Sequence, residues 1–220
     1  MRSFDSWLDR FCYKHPRLGI PNLMMYIVIG NLAVYMLDMF SNNYLSYMLA
    51  FIPAGIFRGQ IWRLVTFIFV PSTGYGVVGL ALFLYMYYMI GNMLEREWGT
   101  VKFTLYYVIG VAANIVVGLV LTFLYGPEYP FAVVDITYLN MSLFLAFAAL
   151  YPDLRFLLFF IIPVKAKWLA WIDLAFFALS ILSSLVRLYW AGVILPIVAL
   201  LNFLLFFSSS AAHIFGRFRY

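Results

Sequence analysis

Hydrophobic residues run through this chain in long blocks, separated by short polar interruptions. Six blocks have roughly the 17–25 residues that cross a bilayer as a helix. They are Leu23 to Met39, Gly76 to Met93, Phe103 to Tyr125, Phe131 to Tyr151, Trp168 to Leu185 and Trp190 to Phe207. The second ends at a charged stop, Leu94-Glu95-Arg96-Glu97-Trp98-Gly99, and the fourth at Pro152-Asp153. Ser41 to Ser72 is also apolar, but Pro53, Gly55, Arg58, Gly59, Arg63 and Pro71 break it. It reads as a long loop half-embedded in the membrane interface, and loops of that length often serve a function. Residues 155–164 are too short to span, and Pro163-Val164-Lys165-Ala166-Lys167 interrupts them, which predicts a re-entrant or interfacial hairpin. Before the first block, Phe4, Trp7, Leu8 and Phe11 recur at helical spacing, with Arg2, Asp5, Asp9 and Arg10 off that stripe. This predicts a short helix lying in the interface, the alternative being a frayed cytosolic tail.

The expected fold class is therefore an all-α integral membrane protein, a six-helix bundle with an interfacial first loop. Residues 1–20 form an amphipathic segment, 21–208 the membrane domain and 209–220 a short tail. Composition agrees: 66% of the 220 residues are hydrophobic and 10% charged, where soluble domains are about half apolar and a quarter charged. Mean hydropathy is +0.97. No apolar core with a cleavage site precedes the first block, so no signal peptide is expected.

Charge sets the orientation. With both termini on one side, Arg2, Arg10, Lys14, Arg17, Arg96, Lys102, Arg155, Lys165, Lys167, Arg217 and Arg219 share that side. Only Arg58, Arg63 and Arg187 face the other. The excess of basic residues marks the cytoplasmic side, which places both termini in the cytoplasm, with the plasma or inner membrane as the expected location. The net charge of +5 is then a matter of loops and not of nucleic acid, which is not an expected partner. The lone Cys12 and the two histidines, His15 and His213, give no ligand cluster, so neither a metal nor another cofactor is expected.

Polar residues inside the blocks are where function is sought, because they are costly in hydrocarbon and turn towards protein or water. Asp135, Thr137 and Asn140 open the fourth block, Asp173 lies in the fifth and Asn202 in the sixth. Asp135, Thr137, Asn140 and Asn202 are pocket candidates, while Asp173, six residues past Lys167, is expected either in a site or just under the inner interface, paired with a basic residue. The alternative is that Asp135 caps the fourth helix while Thr137 and Asn140 bond to neighbouring helices. Gly110, Asn114 and Gly118, spaced by four, form a seam for close helix approach. The Tyr85, Tyr87, Tyr88 and Phe83 cluster reads as aromatic packing.

Four motifs in register resemble the rhomboid intramembrane proteases over about residues 21–205. Gly59-Gln60-Ile61-Trp62-Arg63-Leu64-Val65-Thr66 is similar to their first-loop signature, and Gly91-Asn92-Met93-Leu94-Glu95-Arg96-Glu97-Trp98-Gly99 to the signature after the second span. The end of the fourth span, Ala146-Phe147-Ala148-Ala149-Leu150-Tyr151-Pro152-Asp153, and the run Ile161 to Trp168 are similar too. The resemblance implies that Gly59, Trp62, Arg63, Gly91, Glu95 and Gly99 are architectural. It also implies a serine nucleophile at the start of the fourth span, a histidine base near the outer end of the sixth, and a histidine and asparagine on the second to hold the oxyanion. Those positions fall here on Thr137 for the serine, Gly79 and Phe83 for the oxyanion pair, and no histidine in the sixth span. The family's flanking glycines become Asp135 and Tyr138, and Tyr138 fills space a substrate backbone needs.

Three functions remain open on this reading. The first is a proteolytically inactive rhomboid-like protein that binds transmembrane segments of other membrane proteins. The second is a divergent intramembrane peptidase with Thr137 as nucleophile. The third is an ion or proton pathway through Asp135 and Asp173, against which the sequence shows no inverted repeats or paired broken helices.

Overall fold

The structure is a computed structural model that describes residues 10–71, 76–126, 135–158 and 162–217. Residues 2–9, with most of the N-terminal stripe, and residues 127–134, which open the fourth block, lie outside the described residues. Residues 10–14 are helical, and Pro16–Leu18 forms a 3-10 turn. The main elements are α1 (Leu23–Ser41), α2 (Tyr44–Leu49), α3 (Pro53–Phe57), α4 (Arg63–Thr66), α5 (Gly76–Trp98) and α6 (Thr100–Tyr125). After these come α7 (Thr137–Leu150), a hairpin of β1 (Arg155–Leu158) and β2 (Ile162–Lys165), α8 (Ala166–Val186) and α9 (Trp190–Arg217).

Among the described residues five helical segments are long and apolar enough to cross a membrane: Pro16–Ser41, Gly76–Trp98, Thr100–Tyr125, Ala166–Val186 and Trp190–Phe207. The fourth block contributes α7, whose 14 residues reach only about 21 Å at 1.5 Å each. The charged stop after the second block does not end its helix, because α5 runs on through Glu95 to Trp98. Likewise α9 continues to Arg217, through residues that hydropathy assigns to the tail.

Tight reversals fold the long helices back on one another. Gly99, at φ +82°, is the single residue between α5 and α6, a backbone conformation that costs glycine nothing. Asn42 and Asn43, both at positive φ, turn the chain from α1 into α2, as asparagine tolerates the left-handed region. Asp38 fixes that turn: its carboxylate accepts from Ser41 Oγ at 3.0 Å and from the backbone N–H groups of Leu45 at 3.0 Å and Ser46 at 3.1 Å.

Two ends result. At the hairpin end, Asn22 donates its N–H to Glu95 Oε1 at 3.0 Å and Ile20 to Thr104 Oγ1 at 3.0 Å. The hairpin, antiparallel with Arg155 opposite Lys165 and Phe156 opposite Val164, lies here too. Phe156 anchors it under α7, with ring centroids 5.6 Å from Phe147 and 6.2 Å from Phe144. At the loop end, Phe51 and Phe67 from the broken segment pack with Leu121, Ile136, Ala191 and Leu195. The segment therefore folds over the ends of α6, α7 and α9.

Buried Arg63 organises that segment. Its Nη1 donates to the carbonyls of Tyr47 at 2.6 Å and Ala50 at 2.8 Å, and its Nε to Gln60 Oε1 at 2.6 Å. Trp62 Nε1 donates to Met48 O and Thr66 Oγ1 to Leu49 O. These bonds satisfy carbonyls at the end of the short α2, which the helix itself leaves open.

Candidate functional site

Midway along α5, beneath the first turn of α7, the helices α1, α5 and α7 diverge enough to leave a small cavity of about 20 Å³, room for one water molecule or the tip of one side chain. Met24, Ile27, Val28 and Asn31 line it from α1, Phe83, Leu84 and Tyr87 from α5, and Ile136 and Asn140 from α7. Nearer the hairpin end the same helices touch: a Cβ on Gly91 would lie 2.5 Å from Met24 Cγ and 2.6 Å from Met24 Cβ. Glycine at that position lets α1 and α5 meet, and the larger side chains beyond it hold them apart.

The chemistry of the cavity is that of amides and an aromatic edge. Asn31 is buried and donates from Nδ2 to Ile27 O at 2.9 Å and Ile68 O at 3.1 Å. Asn140 is 7% exposed, and its Oδ1 is a buried acceptor with no hydrogen-bond partner among the described residues. The Phe83 and Tyr87 rings stand 4.4 Å apart. No carboxylate, lysine or histidine is among the lining side chains. The cavity can therefore accept an uncharged hydrogen-bonding group, but it presents no base at neutral pH.

The other candidates divide between this cavity and the helix contacts. Thr137 begins α7 one turn before Asn140. The Asp135 carboxylate accepts the backbone N–H of Thr137 at 2.9 Å, so it serves the helix start. Gly79 lies one turn before Phe83 on α5. The structure brings Phe83 and Asn140 to one cavity and does not add a histidine to them. Ile136 packs level with Ala191 and Leu195 of α9, and His213 is 18 residues beyond Leu195 on the same helix, about 27 Å along its axis. His15 precedes α1 at the opposite end, against the Phe11 ring.

Asn202 sits elsewhere, in a lock between α6, α7 and α9. Its Nδ2 donates to Tyr106 O at 3.2 Å. The Tyr106 hydroxyl meets Ser142 Oγ at 2.7 Å, and Ser142 in turn donates to Leu139 O at 2.7 Å. Because Ser142 spends its proton on Leu139, Tyr106 is the donor of the pair. Tyr106 and Ser142 escape a reading by sequence. The signal was available in the four-residue spacing, since Tyr106 and Thr122 extend the Gly110, Asn114, Gly118 seam in both directions and all five are buried.

Asp135 and Asp173 do not converge. Tyr138, three residues after Asp135, meets Ser180 of α8 through its hydroxyl, and Asp173 is seven residues before Ser180, about 10 Å along that helix. Phe177 fills the interval, packed with Leu145 and Ala199 and 5.9 Å from the Tyr138 ring. Among the described residues Asp173 makes no ion pair, and its Oδ2 is buried without a hydrogen-bond partner. No three His, Cys, Asp or Glu side chains come together there as metal ligands would.

The motif residues lie at turns and at helix and loop contacts, with Gly91 against Met24. Glu95 holds the entry to α1 through Asn22. Gly59 (φ +94°) and Gly99 (φ +82°) hold turns, and Trp62 and Arg63 tie the loop segment together. Neither the curated proteins nor the solved structures give a match to this chain. The profile of the eukaryotic integral membrane proteins, DUF1751, matches residues 22–218, from the residue before α1 to the residue after α9, and the chain belongs to that family.

Proposed function

We propose that this protein has the six-helix rhomboid arrangement without its proteolytic activity, and that it binds transmembrane segments of other membrane proteins. One observation supports the reading: the cavity that Phe83 and Asn140 line is built with Tyr87 and Asn31, and no histidine is among its lining side chains. A hydroxyl nucleophile needs a base within about 3 Å. The nearest carboxylate, on Asp135, is engaged by the Thr137 backbone. What remains is a hydrogen-bonding acceptor at membrane depth beside half-buried Val28 and Phe83, a place where a polar side chain of a passing helix is received and not cut. The basic residues of the hairpin end favour the cytoplasmic side for it.

The test is reconstitution in lipid with a panel of single-span membrane proteins, using a photo-crosslinking residue in place of Val28. The expected result is crosslinking to a subset of the panel and no cleavage, with Thr137→Ala indistinguishable from the parent. Cleavage abolished by Thr137→Ala would establish the peptidase reading instead. Crosslinking to lipid alone would remove the segment-binding role.

A further inference from the structure

The neck of the β hairpin gathers three cations. Arg155 and Lys165 are direct cross-strand partners, and Lys167 follows in the first turn of α8. Like charges opposite one another on paired strands repel. Asp153 offsets one of them, with its carboxylate 2.8 Å from Lys165 Nζ. The hydrogen bond to Lys165 holds the Asp153 carboxyl below the usual aspartate range, and the charges of Lys167 and Arg155 act in the same direction. All three cations are therefore close enough to act on one carboxylate. Glu97 is the other acid nearby, where it accepts from the Tyr151 hydroxyl at 3.3 Å, and Arg96 adjoins it in sequence. Three cations against Asp153 leave two net positive charges at the neck, with Arg155 and Lys167 exposed.

The depth of this neck follows from its neighbours. Trp168 is 60% exposed and Trp171 68%. Both lie on α8 just past Lys167, on the helix that continues with exposed Ile172, Phe176 and Leu179 towards the lipid. Indole rings settle at the headgroup level of a bilayer, so the cations beside them stand level with the lipid phosphates. Lys167 Nζ lies 5.9 Å from the centroid of the Trp168 ring, which keeps the ammonium at that level.

We propose that Arg155 and Lys167, flanked by Trp168 and Trp171, bind the headgroup phosphate of an anionic glycerophospholipid in the leaflet at the hairpin end. Each basic side chain near an anionic membrane surface gains about fivefold in affinity, and the gain falls with salt. The claim does not depend on the function proposed above.

The test is native mass spectrometry, with thermal unfolding, of the full chain in a neutral detergent. Phosphatidylglycerol, phosphatidylcholine and inorganic phosphate are each added. Phosphatidylglycerol is expected to bind and to raise the unfolding midpoint, while the other two do neither. Arg155→Gln with Lys167→Gln is expected to weaken phosphatidylglycerol roughly 25-fold, and Arg58→Gln with Arg187→Gln at the loop end to leave it unchanged. If the double variant does not fold, Lys167→Gln alone repeats the test with about a fivefold loss expected. Equal binding of phosphatidylcholine, an equal effect of free phosphate, or unchanged affinity in the hairpin variants would overturn the proposal.

Discussion

In lipid a polar side chain has no water to fall back on, and that sets what individual residues do here. Asparagine, serine and tyrosine inside the helices are bound to backbone carbonyls or to each other wherever they hold helices together. The Tyr106–Ser142–Leu139 chain is the clearest case, and its directionality leads to an unequal pair of outcomes. Tyr106→Phe removes one hydrogen bond but leaves Ser142 donating to Leu139, at a cost of about 1 kcal/mol. Ser142→Ala leaves the Tyr106 hydroxyl fully buried with no acceptor, which costs about 1–3 kcal/mol. Ser142→Ala is thus expected to be the more damaging change, although each substitution removes a single hydroxyl. Denaturant unfolding of the two variants in micelles checks the order. Equal losses would mean that Tyr106 finds another acceptor.

Between elements, close approach is set by glycines, and their neighbours decide how much each one matters. At Gly91 an added methyl meets the Met24 side chain at its root, 2.6 Å from Cβ, so α1 itself must move. At Gly110 it meets Leu139 Cδ1 at 2.3 Å and Asn202 Nδ2 at 3.0 Å, side-chain ends that can rotate. Overpacking costs typically 1–3 kcal/mol, and Gly91→Ala is expected near the top of that range, with Gly110→Ala near the bottom. Thermal unfolding of the two variants in detergent decides it, and a larger loss at Gly110 would show that the α6–α7–α9 lock is the stiffer contact. At this scale the sequence was informative about extent. Runs of apolar residues located α1, α5, α6 and α8 to within about five residues and the start of α9, and the proline-broken stretch from Ser41 to Ser72 showed itself as non-spanning. Helix ends were less legible, because charge stops a membrane span without stopping the helix, as at Glu95 to Trp98. Partners were least legible. Hydropathy makes Arg63 a break in an apolar loop, while its burial depends on the Tyr47 and Ala50 carbonyls, which only the folded loop brings to it. For the same reason the cavity could not be read in advance: Asn31, Phe83 and Asn140 come from three helices, and no spacing along the chain connects them.

At the scale of the whole molecule, the five segments among the described residues that are able to span a membrane and one shorter helix give two ends with unequal numbers of exposed cations. Exposed Arg10, Lys14, Arg17, Arg96, Arg155 and Lys167 lie at the hairpin end, and exposed Arg58 and Arg187 at the loop end. Such an imbalance acts during insertion, since basic loops are retained on the cytoplasmic side. It also suits the lipid proposal, because anionic lipids give the cytoplasmic leaflet its negative surface potential. The orientation can be read with single cysteines introduced at exposed positions of either end, in a chain whose one native cysteine, Cys12, is replaced by serine. In intact cells or sealed vesicles, Lys167→Cys is expected to react with a membrane-impermeant maleimide only from the cytoplasmic face, and Arg58→Cys only from the opposite one. The reverse pattern would place the Arg63 loop segment at the cytoplasmic surface and the hairpin in the leaflet that is poorer in anionic lipid. The segment-binding and lipid-binding roles would then have to exchange sides. Labelling of both positions from one face would require an even number of crossings between Arg58 and Lys167, and would assign α7 to a re-entrant helix, consistent with its length of about 21 Å.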